Sequence, residues 1–414
     1  MTFPQMFRIR QELNGPALED VPLTIRENMA SLNLKDKIKA GQSVAITAGS
    51  RGITGIAQIL LTVVNECKTL GLMPFIVPAM GSHGGATAEG QRHILQHYGI
   101  TKNTMGCEVK SSMDVVRIGE TIGIPVFCDK NAWEADHIAV VGRVKPHTDF
   151  DNEIESGLFK MMSIGLGKQK GAEQYHRAGH DYSYAEVFPA VGQEVLNTGK
   201  ILFGLAIVEN GYDQTARAEA VLSSDFYEKE KELLLEAKAW LGRLPFEELD
   251  LLIVDEIGKD ISGTGLDPNV IGRTCIQKHP ESPKIRHLLV RDITEDSDGN
   301  AIGIGMADFT TKRLVDKISR EVTYMNVLTA GSLSLAKIPI SFDSDKETIG
   351  TALGMLGLTA SQDARIVRIK NTLNLTEMDV SEPLQKNVSG NKRLSVLTDP
   401  APIPFDIHDN LPVF

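Results

Sequence analysis

The sequence predicts an α/β protein with two α/β domains and mostly parallel sheets. Strand-like apolar runs alternate with helical patterns along the chain, and turns containing glycine or proline follow the strands. The length of 414 residues exceeds what one hydrophobic core usually serves. Because such folds bind ligands at the carboxyl ends of strands, we expect the functional groups in the turns there.

The first half of the chain gives the clearest alternation. The segment SVAITAGSRGITG indicates a strand and a glycine-containing turn, and the helix that follows is expected to end at Gly71. A further helix is expected over about 87–98, with Glu89 in its first turn, where the helix dipole favours an acid. The predicted strands are 43–47, 73–80, 136–144 and the run ILFGLAIVENG. This order implies a mostly parallel sheet that is covered on both faces.

A long amphipathic helix marks the domain boundary. Apolar residues recur at helical spacing in SSDFYEKEKELLLEAKAWLGRLPF, with Ser224 as the expected N-cap and Gly242 and Pro245 at the end. A strand pattern resumes over 249–258. We therefore expect domains at 1–246 and 247–414, with the active site in the cleft between them. The proline-rich tail TDPAPIPFDIHDNLPVF is expected to pack back on the first domain.

The composition excludes several classes of protein. With 43 Lys and Arg against 54 Asp and Glu, the net charge of −11 argues against nonspecific binding to nucleic acid or to anionic membranes. The four cysteines are scattered without a CxxC pair, so neither a disulfide framework nor a structural zinc site is expected. The N-terminal residues have no apolar leader segment, and no apolar run reaches eighteen residues. We expect a soluble, cytoplasmic protein.

Three histidines and one lysine lie in turns or among glycines. They are His83 in PAMGSHGGAT, His147 in GRVKPHTDF, Lys160 in ESGLFKMMSIGLG and His176 in GAEQYH. Two imidazoles can flank a reacting carbon, a third can bind a metal, and an amine can tether a cofactor. Lys160 lies in an apolar stretch, where a modified amine is more natural than an exposed ammonium.

These segments, in this order, resemble the nickel-dependent lactate racemase family, which uses a nickel-pincer nucleotide. The matching motifs are Gly-x-His ending at His83, Pro-His ending at His147, Gly-x-x-Lys ending at Lys160, and His176 sixteen residues later. The resemblance implies that His83 and His147 are catalytic and that His176 binds nickel. It implies that Lys160 is covalently attached to the cofactor, a pyridinium mononucleotide with thioamide or thiocarboxylate donors. It also implies that Arg51 contacts the substrate carboxylate.

The implied chemistry is physically reasonable for inversion at C2 of a 2-hydroxy acid. Deprotonating C2 directly is unfavourable because negative charge develops beside a carboxylate, whereas transient hydride transfer to the cofactor yields a 2-keto acid. Two bases are useful because the hydroxyl of either enantiomer must be reached, and histidine suits this task with an ordinary pKa of about 6.5. Nickel with soft donors prefers square-planar coordination, in which His176 would be the fourth ligand.

The nucleotide phosphate needs its own site. Gly84, Gly85 and Thr87 lie where a helix is expected to begin, and the N–H groups of a helix N-terminus bind anions. Lys168 in GLGKQKG is a second candidate for this contact. The glycine spacing does not match a P-loop.

Several departures from the family bear on the substrate. Ala48 stands where the family has an acid three residues before the arginine, and Lys160 lies thirteen positions after His147, a larger spacing than in lactate racemases. In the second domain, GTGLDPNVIGR supplies Asp267, Asn269 and Arg273 as polar groups, and we expect Asn269 and Arg273 to bind substrate. These changes favour C2 epimerisation of a sugar acid such as gluconate. Cofactor-synthesis enzymes are the expected partners.

Other functions stay open at this point. A racemase of lactate or another short 2-hydroxy acid would fit the same motifs. A hydrolase or lyase could bind zinc or another divalent metal through His83, His147 and His176. A protein that binds hydroxy acids without catalysis would keep the pocket and lack the reaction. Whether the chain forms a homo-oligomer is also left open.

Overall fold

The chain forms two compact units in the computed structural model, which describes residues 2–50, 52–274 and 282–414. One unit is Asn14–Leu241, and the other combines Met1–Leu13 with Gly242–Phe414. The second unit begins five residues earlier than the sequence predicted, and the first thirteen residues belong to it. Strand β1 (Met6–Gln11) accounts for this, since it pairs with strands from the end of the chain.

The unit Asn14–Leu241 holds seven of the described strands and nine of the described helices. The strands are β2 (Ser43–Ala48), β3 (Met73–Pro78), β4 (Val115–Thr121), β5 (Ile124–Asp129), β6 (His137–Arg143), β7 (Ile201–Glu209) and β8 (Thr215–Leu222). The helices are α1 (Val21–Ser31), α2 (Ile56–Thr69), α3 (Ala88–His97), α4 (Lys102–Met105), α5 (Lys130–Glu134), α6 (Leu158–Lys160), α7 (Leu166–Asp181), α8 (Tyr184–Asn197) and α9 (Phe226–Trp240). A π-helical turn, Met161–Gly165, joins α6 to α7.

The main sheet of this unit confirms the predicted α/β class. Its order is β3-β2-β6-β7-β8, with parallel pairing from β3 to β7 and β8 antiparallel at the edge. Strand β7 is buried at every residue from Ile201 to Val208, as expected when helices cover both faces. The carboxyl ends of β2, β3 and β6 therefore lie along one edge of the sheet.

A separate hairpin of β4 and β5 was not anticipated from the sequence. Its two-residue turn is Ile122-Gly123, with φ angles of 43° and 74°. Positive φ at both positions gives the tight turn that matches the twist of paired strands. Helix α7 packs on β5, where Tyr175 accepts the N–H of Phe127 at 2.8 Å. The hairpin thus supports the helix that carries His176.

The second unit is built on a mixed sheet of eight described strands. Besides β1 they are β9 (Glu248–Ile257), β10 (Lys284–Ile293), β11 (Phe309–Thr311), β12 (Ile340–Phe342), β13 (Ile366–Ile369), β14 (Glu377–Ser381) and β15 (Leu394–Val396). The helices are α10 (Pro268–Ile271), α11 (Lys312–Lys317), α12 (Arg320–Ala330), α13 (Asp345–Gly354) and α14 (Gln385–Gly390). The order is β12-β11-β10-β9-β13-β14-β1-β15, parallel from β12 to β13 and antiparallel beyond.

The C-terminal tail contacts the unit to which it belongs. Ala401 pairs with Met6, and the carbonyl of Leu411 accepts a hydrogen bond from Arg291 at 2.8 Å. Arg291 also pairs with the buried Asp345 at 2.6 Å. Strand β1, which Ala401 contacts, belongs to this same unit.

Two expectations on composition can be checked against the described residues. Cys67, Cys107 and Cys128 are free thiols, and Cys275 lies outside the described residues. None of the helices in the described part of the chain combines the length and apolar character needed to cross a membrane.

Candidate functional site

The predicted site segments converge at the carboxyl edge of the five-stranded sheet. The π-helical turn Met161–Gly165 lies against the ends of β2 and β6. A Cβ atom added at Gly142 would lie 2.7 Å from Met161 Cγ, and one added at Gly49 would lie 3.6 Å from Met161 Sδ. One added at Gly81 would lie 2.9 Å from Ile164 Cγ2. Glycines at the ends of three strands thus face the helical turn that directly follows Lys160.

The structure brings Lys160 and His147 into direct contact. Lys160 Nζ lies 2.8 Å from His147 Nε2 and 3.3 Å from Ser156 Oγ. The other ring nitrogen, Nδ1, accepts the backbone N–H of Asp149 at 3.0 Å. Since Nδ1 is an acceptor, the neutral ring carries its proton on Nε2 and donates it to Lys160. This hydrogen-bond pattern favours Lys160 as a neutral amine, which is the nucleophilic form.

The imidazole of His147 is buried and held from several directions. Its ring stacks on Phe150 with centroids 4.4 Å apart and planes inclined by 26°. Its backbone N–H donates to Glu155 Oε2 at 2.6 Å. The carboxylate of Asp149 is 3.9 Å from Nδ1, so the backbone N–H of Asp149, rather than its acid, orients the ring.

His83 lies in the turn after β3, and its partners were not predicted. The hydroxyl of Ser50, at the end of β2, forms a short hydrogen bond with His83 Nδ1. The side-chain amide of Gln91 donates to the carbonyls of Gly81 at 2.9 Å and His83 at 3.2 Å. Gln91 is fully buried although glutamine usually lies at the surface. The backbone of the histidine turn is therefore fixed by α3.

Lys168 is fully buried and bound to the protein. Its ammonium donates to Pro78 O at 2.8 Å and Gln91 Oε1 at 2.7 Å, and it lies 3.3 Å from Asp129 Oδ2. Burial lowers the pKa of Lys168 and raises the pKa of Asp129, while their ion pair opposes both changes. Three protein acceptors use its three N–H groups. The structure therefore assigns Lys168 to holding β3 and Gln91, not to the phosphate contact expected from the sequence.

The glycine turn before α3 has two different parts. Thr87 caps α3, accepting the N–H of Gly90 at 3.0 Å and donating to Gly84 O at 3.1 Å. Gly84 has φ 68°, and a Cβ there would lie 2.6 Å from the backbone N of Gln91. Gly85 is exposed, with no atom within 4 Å of an added Cβ. Gly84 and Thr87 thus shape the turn, whereas Gly85 presents open backbone.

His176 shares an aromatic cluster with His147. On α7, its ring meets Tyr184 and Phe188 edge-on, with centroids 5.7 Å and 5.9 Å away. The ring of Phe188 also lies 6.2 Å from that of His147. The ring of Phe188 therefore lies beside both the predicted metal ligand and the predicted catalytic base.

A three-histidine metal centre is not formed. No three His, Cys, Asp or Glu side chains in residues 2–50, 52–274 and 282–414 come together in a way that could hold a metal ion. His83, His147 and His176 are all described, so the ligand set of the zinc hydrolase alternative is absent. A cofactor that needs one protein imidazole is compatible with this arrangement.

The structure describes two of the three residues that were predicted to bind substrate. Arg51 lies outside the described residues. Asn269 donates both its backbone N–H and its side-chain amide to Asp267, at 2.9 Å and 2.8 Å. Arg273 bonds Asp308 at 2.6 Å and the carbonyl of Ile285 at 2.8 Å. The guanidinium of Arg273 thus stabilises its own unit, and the geometry favours this over the predicted contact with substrate.

Comparison with known proteins agrees with the fold. Residues 12–185 match the model of the lactate racemase N-terminal domain, and the match includes His83, His147, Lys160 and His176. The lactate racemase apoprotein from Thermoanaerobacterium thermosaccharolyticum has a similar fold, with a TM-score of 0.53 and 14% identity over 88% of this chain and 94% of that one. No curated protein matches the chain. These comparisons show the fold of the chain and a similarity of residues 12–185 to the lactate racemase N-terminal domain.

Proposed function

We propose that this protein is a racemase or epimerase that inverts C2 of a 2-hydroxy acid. The observation that carries the proposal is the contact of Lys160 Nζ with His147 Nε2 at 2.8 Å, inside a lactate racemase N-terminal domain. An amine held neutral by an imidazole is suited to forming a covalent bond with a cofactor carboxylate or thiocarboxylate. The second imidazole, His83, lies at the same edge of the sheet.

The residues present fit a nickel-pincer nucleotide. Lys160 is half-buried and hydrogen-bonded as an amine, so it can be the point of attachment. His176 offers a single imidazole, which is what a metal with three cofactor donors would need from the protein. The cofactor, when bound, would supply a two-electron acceptor for the C2 hydrogen, which avoids a carbanion beside the carboxylate.

The two histidines would exchange the proton of the C2 hydroxyl. Ser50 has a hydroxyl that can donate to or accept from Nδ1 of His83, so either tautomer of the ring is supported. His147 directs Nε2 at Lys160, and attachment of the amine to a cofactor would leave that nitrogen for the substrate. Stacking on Phe150 keeps the ring in place during this change.

For the substrate we propose a hydroxylated acid longer than lactate, such as gluconate. Ala48, buried at the end of β2, stands where lactate racemases have an acidic residue, three positions before the arginine. Acceptors for further hydroxyls lie at the same sheet edge, where Glu209 at the end of β7 pairs with Arg143 at the end of β6. Asp213 lies nearby, and its burial beside Glu209 raises its pKa to about 6. Lactate has only a methyl group beyond C2 and could not use these groups.

The experiment incubates lactate, malate and gluconate, each carrying deuterium at C2, with the protein under one set of conditions and measures product chirality and mass. The protein is produced with the cofactor-synthesis enzymes, and the extra mass is mapped by peptide. We expect the adduct on Lys160, its loss in Lys160→Ala, its retention in the matched control Lys170→Ala, and fastest inversion of gluconate with deuterium retained at C2, because a hydride is transferred and returned. Fastest inversion of lactate would replace the sugar acid with the short acid. An adduct-bearing protein that inverts none of these acids would contradict the racemase proposal.

A further inference from the structure

A buried acid lies on the inner face of α9 and has no part in the chemistry described above. Glu230 is 1% exposed, and it shares its face of the helix with the buried Leu233 and Leu234. An ionisable group in an apolar stripe is costly unless its surroundings compensate for the loss of water. The contacts of Glu230 show what it does there.

The carboxylate of Glu230 lies against the beginning of α6. Its Oε2 accepts the backbone N–H of Phe159 at 3.1 Å, and the N–H of Leu158 bonds the same carboxylate. Glycine at 157 gives α6 no side-chain cap of its own. A Cβ added at Gly157 would lie 2.4 Å from Glu230 Oε1, so this position must stay small for the carboxylate to approach. Glu230 therefore caps a helix from 71 residues away in sequence.

Helix α6 is the first turn of a helical run that continues through the π-helical turn Met161–Gly165, so its first N–H groups have no acceptor within the run. An acceptor from elsewhere in the fold must satisfy these groups, and it thereby holds the beginning of the run. The last residue of α6 is Lys160, whose amine reaches His147. The position of the amine is thus set by what holds the start of α6.

Helix α9 also supports His147, the residue that the amine of Lys160 contacts. Lys238, two turns beyond Glu230 on α9, forms an ion pair with the buried Glu155. Glu155 in turn accepts the backbone N–H of His147 at 2.6 Å. Residues eight apart lie on one side of a helix, so α9 supports Lys160 through one side chain and His147 through another.

We propose that Glu230 is a positioning residue that fixes the backbone of Lys160 so that its amine meets Nε2 of His147. The inference rests on the proposed function only in treating Lys160 as the reactive amine. Burial raises the pKa of Glu230 to about 8, so the neutral acid prevails at pH 7. A glutamine would keep the accepting carbonyl of that acid, whereas an alanine would remove it.

The test measures the amine itself. Full-length protein purified without cofactor is labelled briefly with acetic anhydride at a series of pH values, and Lys160 is compared with the exposed Lys170 by peptide mass. The midpoint pH of labelling reports on the protonation of the amine, whereas a change in access alters only the plateau. In Glu230→Ala the amine leaves His147, and we expect slower labelling of Lys160 at pH 7, by about fivefold or more, the scale of one lost hydrogen bond.

Four variants make the result interpretable. We expect a raised midpoint for Lys160 in Glu230→Ala, a midpoint close to wild type in Glu230→Gln, and no change in Glu232→Ala, an exposed acid on the same helix. Gly157→Ala displaces the carboxylate from the other side and should raise the midpoint even if Glu230→Ala does not fold. Unchanged midpoints in the folded variants of Glu230 and Gly157 would overturn the proposal. Since no substrate is used, this result is independent of whether the racemase activity is found.

Discussion

Lys160 Nζ and His147 Nε2 lie 2.8 Å apart, and the hydrogen bond at His147 Nδ1 assigns the shared proton to the imidazole. In the proposed function, the tethering amine and one of the two bases form a unit before any cofactor arrives. His147 would first keep the amine nucleophilic and afterwards meet the substrate. The ring is held for both tasks by stacking on Phe150 and by the backbone N–H of Asp149.

Replacing the three histidines with alanine is predicted to affect different properties, either turnover or metal binding. His83→Ala and His147→Ala should each reduce turnover by about 10²-fold or more, the usual scale of general acid–base catalysis, and should keep bound nickel. His176→Ala should lose the metal instead. Metal analysis and initial rates on the same preparations check this. Loss of metal in His83→Ala would contradict the assignment of His83 as a base.

His147 is further predicted to affect cofactor attachment. Without the imidazole, the amine of Lys160 loses its partner and takes up a proton, so His147→Ala should carry less adduct than His83→Ala when both are produced with the cofactor-synthesis enzymes. Intact mass of the two variants gives the comparison. Equal loading would show that the amine does not need His147.

Ser50 is predicted to matter through His83 alone. Ser50→Ala removes the partner of Nδ1, so the ring is no longer fixed in one orientation, and we expect kcat to fall about tenfold with little change in KM. Ser82→Ala, in the same turn as His83, is the matched control. An equal fall of kcat in both variants would indicate a general disturbance of the turn.

The sequence predicted the features that local patterns encode. Strand β2 agrees with the prediction to within a residue and β3 to within two, because their apolar runs and turn residues are contiguous. Strand β1 was not assigned to its sheet because it pairs with Met378 and Val380, more than 360 residues away. No local signal reveals such a partner.

The site shows the same limit at the level of side chains. Motifs located His83, His147, Lys160 and His176, since each lies near a glycine or proline of recognisable spacing. Whether a charged side chain is buried or exposed was not predictable, because this depends on which hydrogen-bond acceptors the fold brings close to it. The sequence predicted Lys168 as a phosphate contact among glycines, and the structure buries it. For Glu230 a signal existed, since it falls in helical register with Leu233 and Leu234.

Lys168 is predicted to stabilise the folded protein. Lys168→Met leaves Asp129 buried without its cation, and breaking a buried pair from one side costs about 3–5 kcal/mol. The melting temperature of the full chain should fall by several degrees, whereas Lys170→Met, at the surface, should change it little. Adding Asp129→Asn to Lys168→Met should recover part of the loss. A normal melting temperature combined with loss of the cofactor would restore the phosphate contact predicted from the sequence.

Glu230 is predicted to make stability depend on pH. Its pKa is raised from 4.5 to about 8 by burial in the folded protein, so between these values the folded state keeps a proton that the unfolded state has released. Stability therefore decreases as pH rises through this window, by about 1.4 kcal/mol per pH unit, and the loss is complete above the folded pKa. Glutamine cannot ionise, so Glu230→Gln does not lose this stability. The melting temperature of Glu230→Gln minus that of the wild type should therefore increase from pH 5 to pH 8 and remain constant above pH 8. Glu232→Gln should follow the wild-type curve, and parallel curves for Glu230→Gln and wild type would show that the acid is ionised at low pH in the folded protein.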